Sequence, residues 1–146
     1  MAIRKFKYVS HTADIAFVAY GRNFREAFEN AAAALLNVML DIKRIRHTRS
    51  KTKTARVKDM ARTKEDLVWF VLQDILSKID EKKLNAYRFK INHIVSKKDG
   101  IVAHGCIFYK QAEGDYAQLS VKAVTPHGLS VKQENDRCSI SVVIDV

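Results

Sequence analysis

The apolar positions of the chain follow two rhythms. Phe6, Tyr8 and the run from Ile15 to Tyr20 are β-branched or aromatic, the character of strands, and the polar stretch His11-Thr12-Ala13-Asp14 connects them. The period then lengthens. Phe24, Ala27, Phe28, Ala31, Leu35, Val38 and Met39 recur at helical spacing, and Asn23 with Glu26 three residues on reads as an N-cap and capping-box pair. A second helix is predicted from Thr63. Glu65 and Asp66 suit its first turn, and Leu67, Val68, Val71, Leu72, Ile75 and Ile79 give it an apolar face. After Asp80-Glu81-Lys82-Lys83 the pattern is strands: Tyr87 to Val95, Ile101 to Tyr109, Leu119 to Val124, Leu129 to Lys132 and Cys138 to Ile144. Lys98-Asp99-Gly100 reads as a hairpin turn between the first two of these. These elements predict an α+β domain over residues 1–146, with two helices packed on a mostly antiparallel sheet of about seven strands.

Charge changes one part of this picture. The chain of 146 residues carries a formal net charge of +10, and residues 43–64 hold ten basic side chains against Asp59 alone. An almost neutral domain therefore bears one basic segment. A uniformly basic tail protein is excluded, and a localised phosphate or RNA contact through Arg46, Arg49, Lys51, Lys53 and Arg56 is left open. Thr48, Ser50, Thr52 and Thr54 alternate with Arg49, Lys51 and Lys53, which predicts an edge strand or a mobile loop. The segment has no interleaved aromatics for base stacking.

Composition narrows the class. The apolar fraction of 47% fits a folded domain. The longest apolar run, Ala31 to Leu36, is far short of the ~20 residues that span a bilayer, so no membrane partner is expected. The basic N-terminus lacks the apolar stretch of a signal peptide. Cys106 and Cys138 form no metal or redox pair and read as small buried side chains, consistent with a reducing, cytoplasmic setting. There is no glycine-rich phosphate loop, nucleophile elbow or zinc spacing.

Two carboxylates stand out by position. Asp14 precedes a strand. Asp145 follows Ile144, which shares the inward alternation of Cys138, Ile140 and Val142, so Asp145 faces the other way. Val146 and its carboxylate come next. Were Asp14 to meet this end, the cluster would need a cation, and an all-oxygen set suits Ca²⁺ or Mg²⁺, with Mn²⁺ as a further choice. On spacing alone, Asp14 as a turn residue and Asp145 as a solvated end is the simpler reading. The stretch from Lys122 to His127 ends in a turn whose Lys122 and His127 could touch a phosphate or an acidic partner. A small metal-dependent hydrolase would need a base beside the cation, for which His11 is the candidate.

Several of these residues together resemble the archease family. They are His11-Thr12-Ala13-Asp14, Gly21, the helix from Glu26 to Ala32, Leu67 with Trp69, Gly105, Lys122-Ala123-Val124-Thr125 with His127, and Asp145-Val146. The resemblance runs from about His11 to the last residue. It implies a small α+β protein that is not itself an enzyme. It also implies a partner, the RtcB-type RNA ligase of tRNA splicing, whose guanylylation and multiple turnover archeases promote with GTP and a divalent metal. A second implied role is as chaperone or modulator of a tRNA methyltransferase, with tRNA met directly or through the partner. Carried over, the family's metal site falls on Asp14 and Asp145, joined by Val146, with Asp41 as an additional candidate. Three positions depart from the family pattern. Ala16 stands where Gly is usual, Pro126 where Tyr is usual, and Cys106 where an acid is common. The basic density of residues 43–64 is not part of the resemblance.

Overall fold

The computed structural model of the chain describes residues 4–9 and 14–146. Among these, in chain order, are β1 (Phe6–Val9), β2 (Asp14–Gly21), α1 (Phe24–Met39), α2 (Ile42–His47), β3 (Thr52–Ala61), α3 (Lys64–Lys82), β4 (Asn85–Lys97), β5 (Gly100–Lys110), β6 (Ala123–Glu134) and β7 (Arg137–Asp145). The class is α+β, as predicted. The strands form two antiparallel sheets, one ordered β1-β2-β7-β6 and the other β3-β5-β4.

The two long helices lie between the sheets. α1 packs on β2 and β7 on one side and on β4 on the other, while α3 packs on β6 on one side and on β3 and β5 on the other. A helix covered on two sides must be apolar over more than a stripe. In α1, Ala27, Ala31, Ala32 and Ala34 are buried along with Phe28, Leu35 and Leu36. Small side chains there let two sheets close on one helix.

Each helix is also pinned to the edge strand of one sheet by a pair of side chains spaced i, i+4. From α1, Arg25 donates to the Ile91 carbonyl and Glu29 Oε2 accepts from the Ile91 N–H at 2.8 Å. From α3, Trp69 Nε1–H donates to the Val124 carbonyl at 2.7 Å and Gln73 Oε1 accepts from the Val124 N–H at 2.9 Å. Ile91 and Val124 sit on edge strands, so these main-chain groups have no neighbouring strand to meet. Leaving a buried one unpaired would cost ~1–3 kcal/mol.

The caps of the long helices fall where the sequence places them. The Asn23 side chain accepts from the Glu26 N–H and the Thr63 side chain from the Asp66 N–H, both at N3. Elsewhere the structure corrects the reading. The basic segment opens with a third helix, α2, because Asp41 caps it and buried Ile45 anchors it. From Thr52 it continues as an edge strand, β3. Residues 119–122 are not strand, and Leu129 to Lys132 is not a separate one. Both readings give way to one strand, β6, that carries Pro126 and His127 inside it. Between the pairs Thr125↔Val143 and Ser130↔Ser141 the register shifts, and this outer edge is where a proline fits without breaking a ladder. Cys138 is buried as expected, but Cys106 is only half-buried and lies on a sheet face.

Candidate metal centre

The antiparallel register of β2 and β7 runs without a shift from Gly21↔Cys138 to Asp14↔Asp145. Ile140, Val142 and Ile144 are fully buried against the helices, so the alternate positions, Asp145 among them, face outward. Asp14 is directly opposite Asp145 and shares that face. Like charges at such a cross-strand pair, with Cβ atoms ~5 Å apart, repel. Among the described residues, neither carboxylate makes an ion pair. The arrangement therefore fits a cation, and the donor set is oxygen only, which favours Ca²⁺, Mg²⁺ or Mn²⁺ over zinc. Val146 follows Asp145 and is half-buried.

The end of β6 borders the pair. Ala123 lies opposite Asp145 on its other side, and the Lys122 N–H donates to the Asp145 carbonyl at 2.8 Å. The Trp69 and Gln73 contacts to Val124 fix this same end of β6 to α3. A helix thus holds one of the strands that position Asp145.

Beside Asp14 is an open cleft of about 560 Å³, lined also by Tyr8, Val9, Asn37, Val38 and Leu119, among others. Tyr8, Val9 and Leu119 are exposed apolar side chains there. The Tyr8 hydroxyl donates to the Ala34 carbonyl at 2.7 Å and accepts from Asn37 Nδ2 at 3.1 Å. Burial pushes the Tyr8 phenol above its ordinary range, with the Asn37 hydrogen bond pulling the other way. The sequence did not reveal this apolar rim. It draws on β1, α1 and the irregular stretch before β6, which share no periodicity.

The other sequence candidates lie apart from this pair or have other work. Asp41 is the cap of α2, accepting from the Arg44 N–H at 3.2 Å, and its own N–H donates to the Tyr116 carbonyl. Among the described residues no three His, Cys, Asp or Glu side chains converge, so Asp41 does not join Asp14 and Asp145. His11 lies outside the described residues. His127 is exposed in the irregular part of β6, where its carbonyl accepts from Thr125 Oγ1. Arg46 on α2 stacks over the Tyr87 ring at 5.9 Å. Arg49 and Lys51 lie between α2 and β3, and Lys53 and Arg56 are exposed on β3.

Residues 6–146 match the family described as the Archease protein family (MTH1598/TM1083). The protein archease of Pyrobaculum neutrophilum is 30% identical over 145 residues, covering 97% of this chain and 95% of the relative. That of Methanosarcina acetivorans is 28% identical over 147 residues, covering 98% and 97%. The solution structure of Methanobacterium thermoautotrophicum protein 1598 superposes with a TM-score of 0.80 at 28% identity, covering 97% of this chain and 99% of that one. The crystal structure of an archease, a possible chaperone, from Thermotoga maritima superposes with a TM-score of 0.59 at 20% identity, covering 100% and 99%, and shares the fold.

Proposed function

The chain belongs to the archease family, and from that premise we propose that it is a protein activator of an RtcB-type tRNA-splicing RNA ligase, working through a divalent cation at Asp14 and Asp145. The observation that supports this reading is the cross-strand pairing of those two carboxylates. An oxygen of Val146 completes the ligand set. The apolar rim of Tyr8, Val9 and Leu119 beside Asp14 gives the same end of the molecule a surface on which a partner can seat. Docked there, the protein assists guanylylation of the ligase from GTP, and the bond-making chemistry stays on the ligase. The cation supplies positive charge close to phosphate when bound.

The test is a ligation assay with limiting ligase and excess tRNA halves. Wild-type protein is expected to give many turnovers, and Asp14→Ala or Asp145→Ala few beyond the first. Full stimulation by both variants would remove the metal end from the mechanism. Leu119→Asp is expected to weaken stimulation while leaving metal binding intact, which separates docking from ligation of the cation.

A further inference from the structure

The outward face of the three-stranded sheet is not covered by any other described element. Both long helices lie against its inner side, where Val57, Phe89, Ile91 and Ile107 are buried. The register assigns the outer positions. Arg56 and Lys58 of β3 pair with Cys106 and His104 of β5, and these pair with Lys90 and His93 of β4. One step along, Thr54 pairs with Phe108, and Phe108 with Arg88. Lys97 and Lys110 close the two ends of the face. Six cations thus project from one side of a sheet, with no Asp or Glu among its outward positions. Only two of the six, Arg56 and Lys58, lie in the basic segment of the sequence. The other four are contributed by strands that look unremarkable in one dimension.

Flat rings sit among these charges. The His93 and His104 rings stack with centroids 4.4 Å apart. Phe108 lies under the Arg88 guanidinium at 5.6 Å and beside Tyr87 at 6.4 Å. Tyr87, placed at a bulge in β4, has Lys110 over its ring at 5.7 Å. The electrostatic field is felt at the centre of the face. His104 is part-exposed and titrates below the ordinary histidine value, from desolvation first and then from the charges of His93, Lys58, Lys97 and Arg56.

We propose that this face binds single-stranded RNA, with the cations on its phosphates and Phe108, Tyr87 and the histidine pair as stacking platforms. An open sheet with rings in its middle and positive charge around them suits splayed-out bases. A duplex hides its bases and offers phosphates alone. An acidic protein surface would use the charges but leave the rings idle. The site is on the opposite sheet from Asp14 and Asp145 and stands or falls independently of the ligase reading.

The experiment is fluorescence anisotropy of a labelled oligouridine titrated with the full chain, beside an RNA duplex of equal length and polyglutamate. Oligouridine should bind more tightly than either. If about four phosphates are contacted, its affinity falls roughly fiftyfold between about 50 and 200 mM salt. Phe108→Ala should weaken oligouridine binding about tenfold with the charge unchanged. Phe108→Leu keeps the bulk and loses the ring, so it should weaken binding with the fold intact by circular dichroism. Arg88→Ala with Lys90→Ala should weaken it and flatten the salt slope. Asp14→Asn should leave it unaltered. Equal affinity for duplex or polyglutamate, or no effect of Phe108→Leu, would overturn the proposal.

Discussion

Two pairs of carboxylates face each other in this molecule, and the fold deals with them differently. Asp14 and Asp145 meet across β2 and β7 and face outward, and Asp14 borders an open cleft. Asp59 of β3 meets Asp74 of α3 on the inner side of the other sheet, and Lys78 Nζ reaches Asp74 at 2.6 Å. Asp59 Oδ2 is closed off from solvent and has no partner while both groups are ionised, because two carboxylates can only accept. Burial, then the hydrogen bond to Asp74 and its charge, push the Asp59 carboxyl up to about 7, against the pull of Lys78. A proton and a lysine settle the inner pair. The outer pair has no such lysine among the described ion pairs. The same chemical conflict is structural in one place and, in the function proposed above, a binding site in the other.

Divalent metal should separate the two pairs most strongly. At about a hundredfold excess over Kd, a cation that binds only the folded chain adds ~2.7 kcal/mol of stability. Thermal melts with and without Mg²⁺, Ca²⁺ or Mn²⁺ should show that gain in the wild type, lose it in Asp14→Asn, and keep it in Asp59→Asn. A gain surviving Asp14→Asn would place the cation elsewhere.

Trp69→Phe should come next. It removes the donor to the Val124 carbonyl, for a loss of ~1–2 kcal/mol in urea unfolding. Because that contact holds the start of β6, and Ala123 there lies opposite Asp145, metal affinity should fall too. Glu29→Gln, the counterpart on the other sheet's clamp, should lower stability with metal affinity unchanged. Equal loss of metal affinity in both variants would mean that α3 does not position the outer pair specifically.

Much of this contrast was legible in the sequence, but only on one side. The outer pair could be suspected because inward alternation from Cys138 to Ile144 forces Asp145 outward and because the archease resemblance carries a metal site onto Asp14 and Asp145; that β2 lies beside β7 is visible only in the structure. The inner pair could not. Asp59 is the lone acid of a basic segment and Asp74 one polar residue of a helix, and nothing in either period says that they meet. Helix caps were legible for a related reason: Asn23 and Thr63 act within three residues of themselves. Asp41 does the same for α2, a local role that was not read from the sequence. The basic face was legible only in part. Run length exposes residues 43–64, but a sheet face is assembled across strands, and Arg88, Lys90, Lys97 and Lys110 join it through register alone.

The inner pair predicts a smaller effect with a definite sign. The Asp59 carboxyl titrates near pH 7 in the folded chain and near 3.8 when unfolded. Between those values the folded state holds a proton that the unfolded state has released, so raising pH costs stability, and the loss is complete above about pH 7. Asp59→Asn retains a donor to Asp74 and does not titrate. Its melting temperature should match the wild type near pH 4 and exceed it near pH 8. The difference is about 1 kcal/mol after discounting for solvent screening at this part-buried position. A constant difference across that range would show that Asp59 is ionised throughout.

The smallest effect tests whether the outer pair is strained without its ion. Cross-strand like charges cost ~0.5 kcal/mol, and Asp145→Asn removes that repulsion together with the site. In chelator the variant should therefore unfold at slightly higher urea than the wild type, and in saturating metal at lower urea. The two curves should cross as metal is added. A binding site that costs stability when empty gives that crossing; a pair of merely solvated side chains gives two curves that never meet.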